Sequence, residues 1–122
     1  MNNLNLGFIG VGLMGLSLVK RLSNLDYKID AYDKNLKKLE PLKKLSNVRL
    51  NQKASEVSQN NNIIILCVDK TESVKEVVFG KDGLVNNANN NTIILDLSTT
   101  LADETINFAN QLNIKTGASW ID

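Results

Sequence analysis

Five apolar runs rich in Ile, Val and Leu punctuate the chain, at residues 4–10, 27–33, 62–68, 92–98 and 114–121. Between them the apolar residues fall at helical spacing, and this alternation predicts βαβ units built on a parallel sheet. The runs at 62–68 and 92–98 are apolar almost throughout, the pattern of strands covered on both faces. Over 13–25 the stripe of Met14, Leu18, Leu22 and Leu25 predicts an amphipathic helix, with Lys20 and Arg21 in its last turns, where cations suit the helix dipole. Further helices are expected at 34–45, where Pro41 must kink or end the segment, and at 54–60, 72–79 and 102–112, with a short strand at 49–51. Right-handed crossovers between successive parallel strands then give an α/β, Rossmann-type doubly wound sheet. The polar tracts at 59–62 and 86–91 lie where strands are entered and are expected to be surface turns.

The glycines of "GFIGVGLMG" (7–15) add chemistry to this frame. Gly10, Gly12 and Gly15 have the G-x-G-x-x-G spacing, which alone is weak because glycine-rich turns are common. Here the motif follows a predicted strand, opens a predicted helix at Leu13 and Met14, and is followed by an acid, Asp33, at the end of the second strand. Gly10 would allow the tight turn, Gly12 and its neighbour Val11 would bring backbone close to a pyrophosphate, and Gly15 would let the helix pack closely. The helix N-terminus supplies unsatisfied N–H groups and a favourable dipole for phosphate. Asp33 would accept hydrogen bonds from a ribose and repel a 2′-phosphate, so NAD(H) is expected over NADP(H). Lys34, the next residue, acts in the opposite sense.

Composition narrows the choices. The 122 residues carry a net charge of +1, which gives no reason to invoke nucleic acid or an anionic membrane, and no run approaches the roughly 18 apolar residues of a membrane span. With no histidine and one cysteine, Cys67, neither metal chemistry nor Ser-His or Cys-His catalysis is expected. Cys67 itself is expected to be a small buried hydrophobe within a strand. The lysines at 34, 37, 38, 43 and 44 are expected on a solvated helix face. A cytoplasmic location is the default, since the first ten residues have no basic stretch leading into an apolar one.

Four separated segments, "LGFIGVGLMGLSLVKRL", "AYDKN", "CVDKTESVKEVVFGKDGL" and "ILDLSTT", resemble in order and spacing the N-terminal domain of the β-hydroxyacid dehydrogenases. The resemblance implies that residues 8–15 bind the dinucleotide, that Val68 and Asp69 lie against it at a strand end, that Thr99 contacts its nicotinamide half, and that Ser73 sits at a further cofactor-loop position. Asp69 stands where the family usually has proline, and Asp69 with Glu72 also fits a helix cap. Likewise, one of Ser98, Thr99 and Thr100 is expected to cap the helix that follows. In the family, a substrate-holding glycine motif and a helical domain with the catalytic lysine come next, whereas this sequence ends at "SWID". The expectation is therefore a single cofactor domain, residues 1–122, of a 3-hydroxyisobutyrate dehydrogenase-like enzyme, with the hydroxy-acid site and the homo-oligomer contacts on a helical domain this chain lacks. Apolar surface is then expected around Trp120 and Ile121. Two alternatives stay open: a 6-phosphogluconate-type or imine-reducing relative, and a non-catalytic module that binds a dinucleotide for regulation.

Overall fold

The computed structural model describes residues 4–122. In chain order the elements are β1 (Asn5–Ile9), α1 (Leu13–Asn24), β2 (Lys28–Tyr32), β3 (Val48–Leu50), α2 (Ala54–Asn60), β4 (Ile63–Leu66), α3 (Thr71–Phe79), β5 (Ile93–Asp96), α4 (Ala102–Thr116) and β6 (Ser119–Ile121). Short 3-10 turns occupy Leu36–Leu42 and Leu84–Asn86. Every strand pairing is parallel and the order is β3-β2-β1-β4-β5-β6, the doubly wound sheet expected from the sequence. The direction of winding reverses between β1 and β4, so the connections leaving their carboxyl ends run to opposite faces of the sheet and leave a crevice between them. No helix among the described residues is long and apolar enough to cross a membrane.

Strand periodicity divides the core in two. Phe8, Ile29 and Ala31 face Val19 of α1 and Leu39 and Leu42 of the first 3-10 turn. On the opposite face Ile9, Ile64, Leu66 and Ile94 meet Val57, Val74, Val78 and Leu112 from α2, α3 and α4. Side chains such as Phe8, Ile64 and Leu112 are wholly buried, each stabilising the fold by roughly 1.5–3 kcal/mol relative to exposure.

Several local expectations are corrected. The segment 34–45 holds no α-helix: Pro41 lacks an N–H and would strike the carbonyl one turn back, so the chain forms the tighter turn Leu36–Leu42, entered through an Asn35 side chain that accepts the Lys37 N–H. The buried stripe of α1 is rotated to Gly15, Val19 and Ser23, leaving Met14 and Leu25 exposed. Helix α4 runs on to Thr116, ended by Gly117 at φ 83°, so the strand expected over 114–121 shrinks to Ser119–Ile121. In β4 and β5, Ile64, Leu66 and Ile94 are fully buried but Ile63, Ile65, Ile93 and Leu95 only partly. Helices α2, α3 and α4 cover one face, while α1 packs on β1 and β2. Of the two residues expected at an apolar surface, Ile121 is exposed, but Trp120 packs against the core.

One buried charge ties β2 to its neighbours. Asp30 accepts two hydrogen bonds from the Arg49 guanidinium of β3 and one, at 2.7 Å, from the Asn61 amide after α2. Burial pushes its carboxyl up, and these donors outweigh burial, holding the pKa below the usual carboxylate value of 3.8. A depressed folded-state pKa stabilises the fold above about pH 4 and loses that contribution as pH falls through the folded value. We expect Asp30→Ala to cost about 2–4 kcal/mol, because Arg49 and Asn61 lose their acceptor. We also expect the acid limb of a stability–pH curve, measured by urea unfolding, to flatten below pH 4 in the variant.

Candidate functional site

The chain leaves β1 through Gly10, whose φ of +99° is a left-handed conformation that L side chains rarely adopt. A Cβ there would run into the Cys67 carbonyl. The Gly10 N–H donates to the Tyr32 carbonyl at 2.9 Å, and the Cys67 N–H donates to the Ile9 carbonyl at 2.8 Å, so this turn is anchored to the strands on both sides. Helix α1 then starts at Leu13 with Gly12 at its N-cap and no side-chain cap. The first N–H to return to that turn is Leu16, on the Gly12 carbonyl, which leaves the earlier amides without intrahelical acceptors. Gly15 lies so close to the Gly10 carbonyl that a side chain would collide with it, with the Phe8 ring next nearest. Gly12 is different: a Cβ there meets nothing within 4 Å. It faces open space, as a ligand cradle must.

Asp33, just past β2, is buried, and its carboxylate is fixed by two backbone amides: Val11 N–H at 2.7 Å and Asn35 N–H at 2.8 Å. The bond to Val11 joins the glycine turn directly to the acid 22 residues away. Val11 contributes this amide, while its side chain is buried in the core.

A cleft of about 890 Å³ runs along the carboxyl ends of the strands. Of the twelve residues singled out from the sequence, Gly10, Gly12, Leu13, Met14, Gly15, Asp33, Lys34, Val68, Asp69, Ser73 and Thr99 all line it. Val11 alone does not, acting from behind through its amide. The cleft thus joins the glycine turn and the β2 end to the loops after β4 and β5.

Those two loops extend the β4–β5 pairing beyond the strands. Leu97 N–H donates to the Leu66 carbonyl and Thr99 N–H to the Val68 carbonyl, while the Ser98 hydroxyl accepts from Val68 N–H at 2.9 Å. Asp96 holds Ser98 in turn, its Oδ1 accepting the Ser98 N–H. The capping roles expected here are not observed. Helix α3 begins at Thr71, so Asp69 lies one residue outside the N-cap position, which Lys70 holds without a side-chain cap. Leu101 occupies the N-cap of α4, again uncapped, because Ser98 is committed to Val68 and Thr100 to the Thr105 hydroxyl. Cys67 falls just after β4, half-buried on the cleft, and burial pushes its thiol up.

The family model for the NAD binding domain of 6-phosphogluconate dehydrogenase matches residues 5–122. The chain belongs to this family. It is 29% identical over 119 residues to the 2-hydroxy-3-oxopropionate reductase of Escherichia coli, covering 98% of this chain and 40% of that protein. It is 26% identical over 117 residues to the human cytokine-like nuclear factor N-PAC, covering 96% of this chain and 21% of that one. Among solved structures, an imine reductase from Myxococcus stipitatus in complex with NADP+ superposes with a TM-score of 0.80 at 22% identity, over 95% of this chain and 39% of that one. The chain thus spans two fifths or less of the length of these relatives. The likeness to β-hydroxyacid dehydrogenases seen in the four segments agrees with this membership.

Sequence reasoning missed Ser98 and Asp96 as organisers of the second rim, and Glu76, which reaches across the cleft to Lys34 at 2.8 Å. A hydroxyl two residues after a strand-end carboxylate was the available signal for the first pair. No local pattern marks Glu76, which is 42 residues from its partner.

The glycines make opposite predictions. Gly10→Ala should destabilise the chain by more than about 2 kcal/mol, from positive φ and the lost space together. Gly12→Ala should cost about 1 kcal/mol or less, because its φ of −74° suits any residue, yet narrow the cleft. Thermal unfolding of the two variants separates them. Ser98→Ala should leave Val68 N–H without its acceptor, lowering stability by about 1 kcal/mol and speeding amide exchange at Val68.

Proposed function

We propose that this chain binds NAD(H) in preference to NADP(H), as the cofactor domain of an oxidoreductase that moves a hydride between a small β-hydroxy acid and the nicotinamide. The observation that carries the reading is the buried Asp33 carboxylate, fixed on the cleft beside the open approach to Gly12. Each carboxylate oxygen accepts one amide, and a carboxylate has room for about four donors, so capacity remains for ribose hydroxyls. A 2′-phosphate brought against that carboxylate meets like charge. The open face at Gly12 and the uncapped start of α1 suit a pyrophosphate.

In this reading the bound dinucleotide supplies the hydride acceptor. The chain's own residues do the holding: Gly12, Leu13 and Met14 at the phosphates, Asp33 at the adenosine ribose, and Val68, Ser73 and Thr99 towards the other half of the molecule. The Ser98 bond to Val68 keeps the two strand-end loops at fixed separation. By resemblance to the β-hydroxyacid dehydrogenases, the lysine that takes the hydroxyl proton and the residues that select the acid belong to a second, helical domain. The similarity to a 2-hydroxy-3-oxopropionate reductase supports that choice of substrate class.

Titration with NADH and NADPH tests the reading. NADH should bind more tightly, and Asp33→Ala should weaken NADH by at least about tenfold, the effect of losing charge-assisted hydrogen bonds. Tighter NADPH binding by the unaltered chain overturns the argument from Asp33. Formation of NADH from a hydroxy acid by these 122 residues alone overturns the assignment of the lysine to another domain. A second reading, a dinucleotide-binding module without hydride transfer, is favoured by the similarity to N-PAC, whose name is that of a nuclear factor. NADH binding in a full-length parent that oxidises no hydroxy acid would select it.

A further inference from the structure

The adenosine end of the cleft carries a second charged group that the glycine motif does not anticipate. Lys34, immediately after Asp33, extends its ammonium to the Glu76 carboxylate on α3 at 2.8 Å, and both residues line the cleft. The pair spans the cleft from the β2 end to the helix after β4. Both side chains are largely exposed, at 74% and 59%, so the contact is weak and can be exchanged for another. Its importance lies in what Lys34 is prevented from doing. An unpaired ammonium one residue from the ribose acid is the natural counter-ion for a 2′-phosphate, and would offset the repulsion from Asp33. Held by Glu76, that ammonium is already neutralised.

We infer that Glu76 is a specificity-determining residue that selects NAD(H) over NADP(H) by occupying Lys34. This rests on the dinucleotide reading of the cleft and adds to it the group that silences the competing lysine. Discrimination then has two layers. Asp33 is buried and fixed by backbone amides, so its carboxylate keeps its place whatever binds. Glu76 lies on an exposed helix face and acts only through its partner. A 2′-phosphate must displace Glu76 from Lys34 and then share the rim with the freed carboxylate, whereas NAD(H) leaves the pair intact.

The experiment compares dissociation constants for NADH and NADPH in the unaltered chain, Glu76→Gln, Lys34→Met and the double variant, at low and high salt. Glu76→Gln should tighten NADPH by about three- to tenfold, the effect of one exposed unit charge at short range, with NADH changed less than about twofold. Lys34→Met in the Glu76→Gln background should abolish that gain. This outcome separates release of Lys34 from a general change in the field of the rim, where Lys38, Lys81 and Asp82 also stand. The gain should shrink at about 1 M salt, where the Debye length falls to about 3 Å. An unchanged NADPH-to-NADH ratio in Glu76→Gln, or a gain that persists without Lys34, overturns the role of Glu76 and leaves NAD binding standing. Failure of the unaltered chain to bind either dinucleotide overturns both.

Discussion

At Gly10 the main chain turns out of β1 in a left-handed conformation and passes so close to the Cys67 carbonyl that no side chain fits between them. That contact sits at the seam where the sheet reverses its winding, between β1 and β4. The same turn is hydrogen-bonded to β2 through Gly10 N–H and to Asp33 through Val11 N–H. Three adjacent strands therefore converge on a few atoms, and α1 is seated against them through Gly15. The cleft owes its shape to this convergence: a side chain at Gly10 would have to displace the chain leaving β4 at Cys67 and Val68, and the geometry of the site would change with it.

Burying carboxylates is expensive unless donors come with them, and β2 shows two solutions. Asp30, facing α2, is met by a guanidinium and an amide from side chains on other elements, which join three parts of the fold. Asp33, three residues on, is met by backbone amides instead. The difference suits their settings. Side-chain donors are free to follow a structural neighbour, whereas backbone donors fix a carboxylate in place and leave its remaining lone pairs facing the cleft. Asp96, at the end of β5, also takes a backbone donor, Ser98 N–H on its Oδ1, but its Oδ2 is buried without a partner.

Most of the sheet could be read from the chain because its signals are local and agree with one another. The strand before Gly10, the helix after it and the acid at Asp33 lie within one βαβ unit, and the structure reproduces that unit with small shifts at its ends. What escaped the sequence depends on distance or on competing local rules. Apolar spacing over 34–45 suggested a helix, but the missing N–H of Pro41 decides the backbone. The hydroxyls at 98–100 look like caps, because Ser and Thr before a helix usually are. Here a closer acceptor need, the Val68 amide on the neighbouring loop, takes Ser98 instead. The Lys34–Glu76 contact joins residues on separate elements and has no periodic signature at all.

Cys67 gives the site an unplanned handle. It is the sole cysteine of the sequence, it lies on the cleft, and its backbone carbonyl is the atom against which Gly10 is packed. Its thiol is held above its ordinary pKa by burial and by the nearby Asp96 carboxylate, so the reactive thiolate is scarce at neutral pH while the fold is closed. The labelling rate at this one sulfur, half-buried on the cleft, therefore reports on the site itself without any engineered probe.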